Sequence, residues 1–176
     1  MLYFIVIYVA LVVTGFICFL ISNKRKKEER KYYEASEKII NEDLLKYSLR
    51  NPYIWGSNSK LPSSRRLMLG VKISNGKNKK SMVFDPEKIV YIGHSDYNHI
   101  VIYNMRVSER HCCIFSKDNR VWLSDLSMKK GVIIKRNGKK SIISGGKTAL
   151  LRDGDVVYID NVKLKIKIFV FDINHK

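Results

Sequence analysis

The chain has 176 residues, 45% of them hydrophobic, with 33 Lys and Arg against 16 Asp and Glu and a formal charge of +17. Such a length holds one domain of ordinary size beside a short apolar segment and leaves no room for a second. The positive balance favours anionic partners, whether nucleic acid, acidic lipid headgroups or phosphorylated peptide, and by itself excludes none of the three.

Residues 1–22 open with MLYFIVIYVALVVTGFICFLI, a run without Asp, Glu, Lys, Arg or His. At about 1.5 Å rise per residue it reaches roughly 30 Å, the hydrocarbon thickness of a bilayer, and predicts a transmembrane helix. A cleaved signal peptide is the competing reading. No basic stretch precedes the run, however, the run is too long, and no small-residue cleavage site follows. Next comes SNKRKKEERK, with six Lys and Arg against two Glu. Positive flanks stay on the cytoplasmic side, so the expectation is a single pass through the cell membrane, amino terminus outside and the body of the chain in the cytoplasm.

Residues 23–50 are rich in Glu, Lys, Leu and Ile, place Ile40, Leu44 and Tyr47 at helical spacing and contain neither Pro nor Gly. They predict a juxtamembrane helix. It reads as a solvated stalk, whose basic start at Lys24–Lys31 is also suited to anionic lipid, at about 1 kcal/mol per cation near the surface. Residues 51–64, within NPYIWGSNSKLPSS, have linker composition, with Tyr53, Ile54 and Trp55 available to dock on a neighbouring domain.

From residue 65 to 172 short apolar or alternating runs are separated by turn chemistry, which predicts an all-β domain of roughly ten strands, a sandwich, followed by a tail at 173–176. In the last strand Val162, Leu164, Ile166, Ile168 and Val170 alternate with Lys163, Lys165 and Lys167, one face buried and one wet. Asn75-Gly76 and Asn137-Gly138 suit type I′ hairpins, and Asp153-Gly154 marks another turn. Cys18, Cys112 and Cys113 read as reduced packing residues. His94, His99, His111 and His175 show no ligand spacing, so no metal and no cofactor is expected.

The stretch VSERH, Val107 to His111, sets a hydroxyl, a carboxylate, a guanidinium and an imidazole in succession. In an extended segment Ser108 and Arg110 share one face and Glu109 and His111 the other, so serine and histidine do not meet. Around it stand Ile92-Gly93-His94, Asn98-His99-Ile100, Asp125-Leu126, Met128 to Val132 and Asp153-Gly154-Asp155. In order and spacing these resemble the forkhead-associated (FHA) domain, whose pattern is Gly-Arg, Asn-x-Ile, Ser-x-x-His, Asp-Leu, a Ser-x-Asn-Gly-Thr loop and a Gly-Asp turn. The resemblance spans about residues 65–172.

It implies an FHA-like β-sandwich whose loops at one end bind phosphothreonine peptides through arginine, hydroxyl and backbone donors. Ser108 takes the phosphate-bonding position and His111 the one that packs inward and braces the loops, with Gly93 and Gly131 as structural motif residues. His94 stands where the family has its phosphate-binding arginine and is a weaker, pH-dependent donor. Glu109 follows the serine where a basic residue is usual, Lys130 replaces the loop asparagine, and Val132 replaces the threonine. Arg106, Arg110, Lys129 and Lys130 are available to replace the lost charge, though lysine lacks the planar fork of arginine. The expected phosphopeptide site is therefore His94, Ser108, Arg110, Lys129 and Lys130.

A hydrolase needs a nucleophile, base and orienter converging. Ser108 with His111 is the one candidate pair, and neither a Gly-x-Ser-x-Gly turn nor a P-loop is present, so no catalytic residue is assigned. Nucleic-acid binding draws on 23 Lys and Arg against 10 Asp and Glu in residues 65–176. Hairpins such as KNKK and KRNGKK read as solvated surface, however, and no aromatic platform interleaves with them. Membrane-tethered members of the family in bacteria look like adaptors for Ser/Thr-kinase signalling at the cell envelope and division machinery, and a phospho-independent interaction module is the alternative.

Overall fold

The structure, a computed structural model, describes residues 2–50, 65–76, 78–127 and 130–173. The expected linker at 51–64, with Tyr53, Ile54 and Trp55, lies outside the described residues, as does Lys129. One helix, α1, runs Leu2–Arg50, and the chain divides into two units, Met1–Ala35 and Ser36–Lys176. In the first unit every side chain from Tyr3 to Lys27 is exposed. Through Ile21 that surface is apolar on all sides, so no protein core covers it, and the helix is long and apolar enough to cross a membrane.

The second unit is the two-sheet sandwich that alternation predicted. Its strands are β1 Arg65–Asn75, β2 Asn78–Phe84, β3 Val90–Gly93, β4 Ile100–Val101, β5 Cys112–Lys117, β6 Arg120–Asp125, β7 Val132–Arg136, β8 Lys139–Ile143, β9 Thr148–Leu150, β10 Val156–Ile159 and β11 Val162–Asp172. One sheet has the order β2-β1-β11-β10-β7-β8, the other β4-β3-β5-β6-β9. Leu69, Val71, Ile92, Ile114, Leu123 and Leu164 are fully buried between them, each contributing about 1.5–3 kcal/mol of transfer free energy.

Two local expectations are corrected. The buried face of β11 does not continue to its end: Val162, Leu164 and Ile166 are buried, but Val170 is 45% exposed and Phe171 is buried. The reason is a second, smaller core on the outer face of the sheet, where Ile40 of α1 packs with Met68 and Phe171, flanked by Leu44, Val83 and Phe169. The helical stripe anticipated at Ile40 and Leu44 therefore belongs to this domain, and residues from Ser36 onward are not a purely solvated stalk. Beside it Arg66 donates to Asp43 and Asp85, both at 2.8 Å, and Lys88 closes on Asp43 at 2.7 Å. Burial pushes the Asp43 carboxyl up, but hydrogen bonds from Lys88 and Arg66 outweigh it and hold that carboxyl below its usual range.

The second correction concerns Asn75-Gly76. Asn75 lies within β1 opposite Asn78, so the turn falls one residue later, and only Gly76 of the pair has positive φ. Register decides this: a one-residue slip would turn Leu69 and Val71 out of the core. Asn137 and Gly138, by contrast, both have positive φ, at 48° and 80°, and close the β7–β8 hairpin as predicted. Cys112 and Cys113 are buried free thiols, and burial, foremost, raises the pKa of each.

Candidate phosphopeptide site

Three loops meet at one end of the sandwich: 94–99 between β3 and β4, 102–111 between β4 and β5, and, between β6 and β7, the described residues 126–127 and 130–131. Gly93 ends β3 against the backbone of Ser108 and Glu109, where a Cβ would collide with the Glu109 carbonyl. That approach lets the His94 amide donate to the Ser108 carbonyl at 3.0 Å. Asn98, buried, pins the same crossing by donating through Nδ2 to the carbonyls of Ser95 at 2.7 Å and Glu109 at 2.6 Å.

VSERH is loop, not strand, because β5 begins only at Cys112. Side-chain alternation consequently does not govern it, and serine and histidine do meet: the Ser108 amide donates to His111 Nδ1 at 3.3 Å. On its other edge His111 Nε2 lies 3.2 Å from the Gly131 carbonyl. A carbonyl only accepts, so the network assigns the neutral tautomer with hydrogen on Nε2. His111 is 2% exposed and has both ring nitrogens engaged. The contact runs through the serine backbone rather than its hydroxyl, an arrangement suited to bracing loops and not to activating a nucleophile.

The third loop is held from inside. Asp125 is fully buried and accepts from the Ser127 hydroxyl at 2.7 Å, and Ser127 Oγ accepts from the Gly131 amide at 3.0 Å. Gly131 has φ +66° and no space for a Cβ beside Ile143 and Ser144, so glycine is required there twice over. Asp125, Ser127, Gly131, His111 and Ser108 thus form one hydrogen-bonded chain across two loops.

Of the expected charged residues, Lys130 is exposed with Nζ 4.0 Å from Asp160, which Arg106 approaches at 3.9 Å from the neighbouring loop. Asp160 sits at positive φ in the β10–β11 turn and also accepts from Asn104 at 2.6 Å. The Arg110 guanidinium lies 4.7 Å from the Tyr91 ring centroid, a cation–π placement. His94 directs Nδ1 to the Ile102 carbonyl at 3.4 Å and lines an open cleft of about 490 Å³ with Asp96, Tyr97, Tyr103 and Glu109. Asp96 accepts from the Tyr103 hydroxyl at 3.0 Å and raises its pKa.

Asn98 and Asp125 stood in recognisable motifs, but their inward bonding was not legible. Asn104, Ser127 and Asp160 carried no signal beyond a polar residue in a turn. Among the described residues no group of three His, Cys, Asp or Glu is placed to hold a metal.

Residues 90–160 match the family model of the FHA domain. No curated protein sequence matches the chain. The solution structure of the FHA domain of an Arabidopsis thaliana hypothetical protein is similar at TM-score 0.52 and 19% identity, over 64% of this chain and 93% of that one. The FHA domain of a Chlamydia trachomatis protein is similar at TM-score 0.49 and 25% identity, over 58% of this chain and 98% of that one.

Proposed function

We propose, from the premise that this chain carries an FHA domain, a family known as phosphothreonine-binding modules in signalling, that it is a membrane-tethered adaptor for phosphothreonine-containing partner proteins. The carrying observation is His111, which joins the Ser108 amide to the Gly131 carbonyl. Two loops are thereby drawn together with a hydroxyl and the cations Arg106 and Lys130 on them. Those cations rest 3.9 and 4.0 Å from Asp160 and are 71% and 60% exposed. Exposed pairs at that range contribute well under about 1 kcal/mol. A phosphate carrying about two negative charges, with short charge-assisted bonds, outcompetes them.

FHA domains are interaction modules rather than enzymes, and the backbone-mediated contact of Ser108 with His111 supports that role here. The apolar helix serves as anchor, with the amino terminus outside, Lys24–Lys31 against anionic lipid and the domain in the cytoplasm. Tethering raises local concentration, so modest affinity suffices. The partners are those of bacterial Ser/Thr-kinase signalling at the envelope or division site, without nucleic acid.

One observation favours a second reading, a phospho-independent interaction module: Asp96 and Glu109 share the cleft with His94, and their charges oppose a phosphate. The full chain in nanodiscs, titrated with matched phosphorylated and unphosphorylated threonine peptides, separates the two. Phosphate-dependent binding supports the adaptor; equal affinity for both forms sinks it.

A further inference from the structure

The β7–β8 hairpin lies at the other end of β7 from the phosphopeptide loops, because the 126–131 loop enters that strand and Asn137–Gly138 leaves it. There a groove of about 540 Å³ opens between the two sheets, along β8 and β9. Each of these strands ends its sheet, β8 pairing with β7 and β9 with β6. Ile134, Ile143 and Leu150 give the groove an apolar floor, and Lys139 and Arg152 stand exposed at its sides. Arg136 is committed to the floor by a two-pronged pair with Asp155, at 2.8 and 2.6 Å.

Two observations choose the occupant. Residues 132–152, which build β7, β8 and β9, contain six Lys and Arg and no Asp or Glu, and with Arg136 taken by Asp155 the balance of this face stays cationic. Among the described residues β8 pairs only with β7, so its outer edge also offers backbone groups. Arg136 and Lys139 flank a two-residue turn, which makes them a mutually hydrogen-bonded pair. By alternation Lys140 and Ile142 then direct their N–H and C=O away from β7, and Ile142 is 68% exposed. Edge lysines repel a second copy of the same cationic edge and accept an acidic one. A bilayer surface, being flat, reaches the lysines but not the concave apolar floor. We propose that this groove binds an extended acidic segment of a partner protein, added as a strand to β8, whose groove-facing residues set carboxylates at Lys139 and Arg152 and apolar side chains over Ile134, Ile143 and Leu150 between them.

The test uses the full chain in nanodiscs of neutral lipid and a fluorescent, unphosphorylated glutamate peptide whose every second residue runs glutamate, valine, valine, glutamate with threonine between them, and a counterpart with lysine in place of glutamate. The wild type should bind the glutamate peptide only, and hydrogen exchange should slow at the amides of Lys140 and Ile142. Lys139→Glu with Arg152→Glu should weaken that binding by about tenfold, the scale of two reversed ion pairs, and admit the lysine peptide. Ser108→Ala should leave it unchanged. Equal binding by wild type and the charge-reversed variant overturns the proposal. So does unprotected exchange at Lys140 and Ile142, or protection of those amides by phosphatidylserine vesicles and not by the peptide, which would make the patch a lipid surface.

Discussion

His111 Nε2 and the Gly131 carbonyl stand 3.2 Å apart across twenty residues of sequence, and the opposite ring nitrogen accepts the Ser108 amide. One buried imidazole thus sets the spacing between two loops. His111→Ala opens a cavity and strands the buried Gly131 carbonyl and the part-buried Ser108 amide, at a cost of about 2–4 kcal/mol. Thermal unfolding should show a large fall in Tm, with phosphopeptide affinity lost alongside. An unchanged Tm would show that the loops hold their spacing without it.

Ser108→Ala removes a hydroxyl from an otherwise intact loop, since the bond to His111 is made by the backbone. The fold should be unaffected, and phosphothreonine peptides should bind more weakly by about 1.5–3 kcal/mol, the value of a charge-assisted hydrogen bond. Titration calorimetry reads both. Full affinity in the variant places the phosphate elsewhere.

Glu109→Arg changes the charge of the cleft beside His94 while keeping the backbone carbonyl that Asn98 and Ser95 use. Phosphopeptide binding should tighten by about fivefold to tenfold, within the range of a close surface charge pair reversed in sign. The gain should shrink as salt rises. A salt-independent response contradicts this electrostatic account.

Arg66 is 7% exposed between Asp43 and Asp85. Arg66→Met leaves buried Asp85 without its cation and should cost about 3 kcal/mol, more than Asp43→Asn at about 1–2 kcal/mol. The folded pKa of Asp43 is depressed because Lys88 and Arg66 overcome the penalty of burial. Its contribution is present above the unfolded value, about 4, and is lost as pH falls through the folded value. Urea unfolding of wild type and Asp43→Asn should therefore converge as pH drops from 7 towards 3. A gap that persists undiminished at pH 3 would remove Asp43 from the linkage.

If the proposed topology holds, with KRKK at residues 24–27 on the cytoplasmic side, protease added to intact cells should leave the β-domain whole while cutting it in permeabilised cells. Digestion from outside reverses the orientation.

The sequence by itself determined what depends on neighbours along the chain. An uncharged run long enough to span a bilayer, the alternation from Val162 to Ile166 and the positive-φ pair Asn137-Gly138 are each written within a few residues, and the motif order carried the family. Tertiary structure alone decided which distant groups meet. The phase change at Phe171 required Ile40 of α1 to cover the outer face of the sheet. His111 met Gly131 only through the pairing of β5 with β6, which brings the following loop beneath the ring, and Asp160 reached Arg106 and Lys130 from a turn that gave no local sign of a role. Arg110 met the Tyr91 ring because VSERH is a loop whose path is set by the backbone contacts of Gly93 and Asn98. Short-range periodicity cannot encode such contacts, since their partners lie 11 to 131 positions away and are fixed only when the two sheets close on their common core.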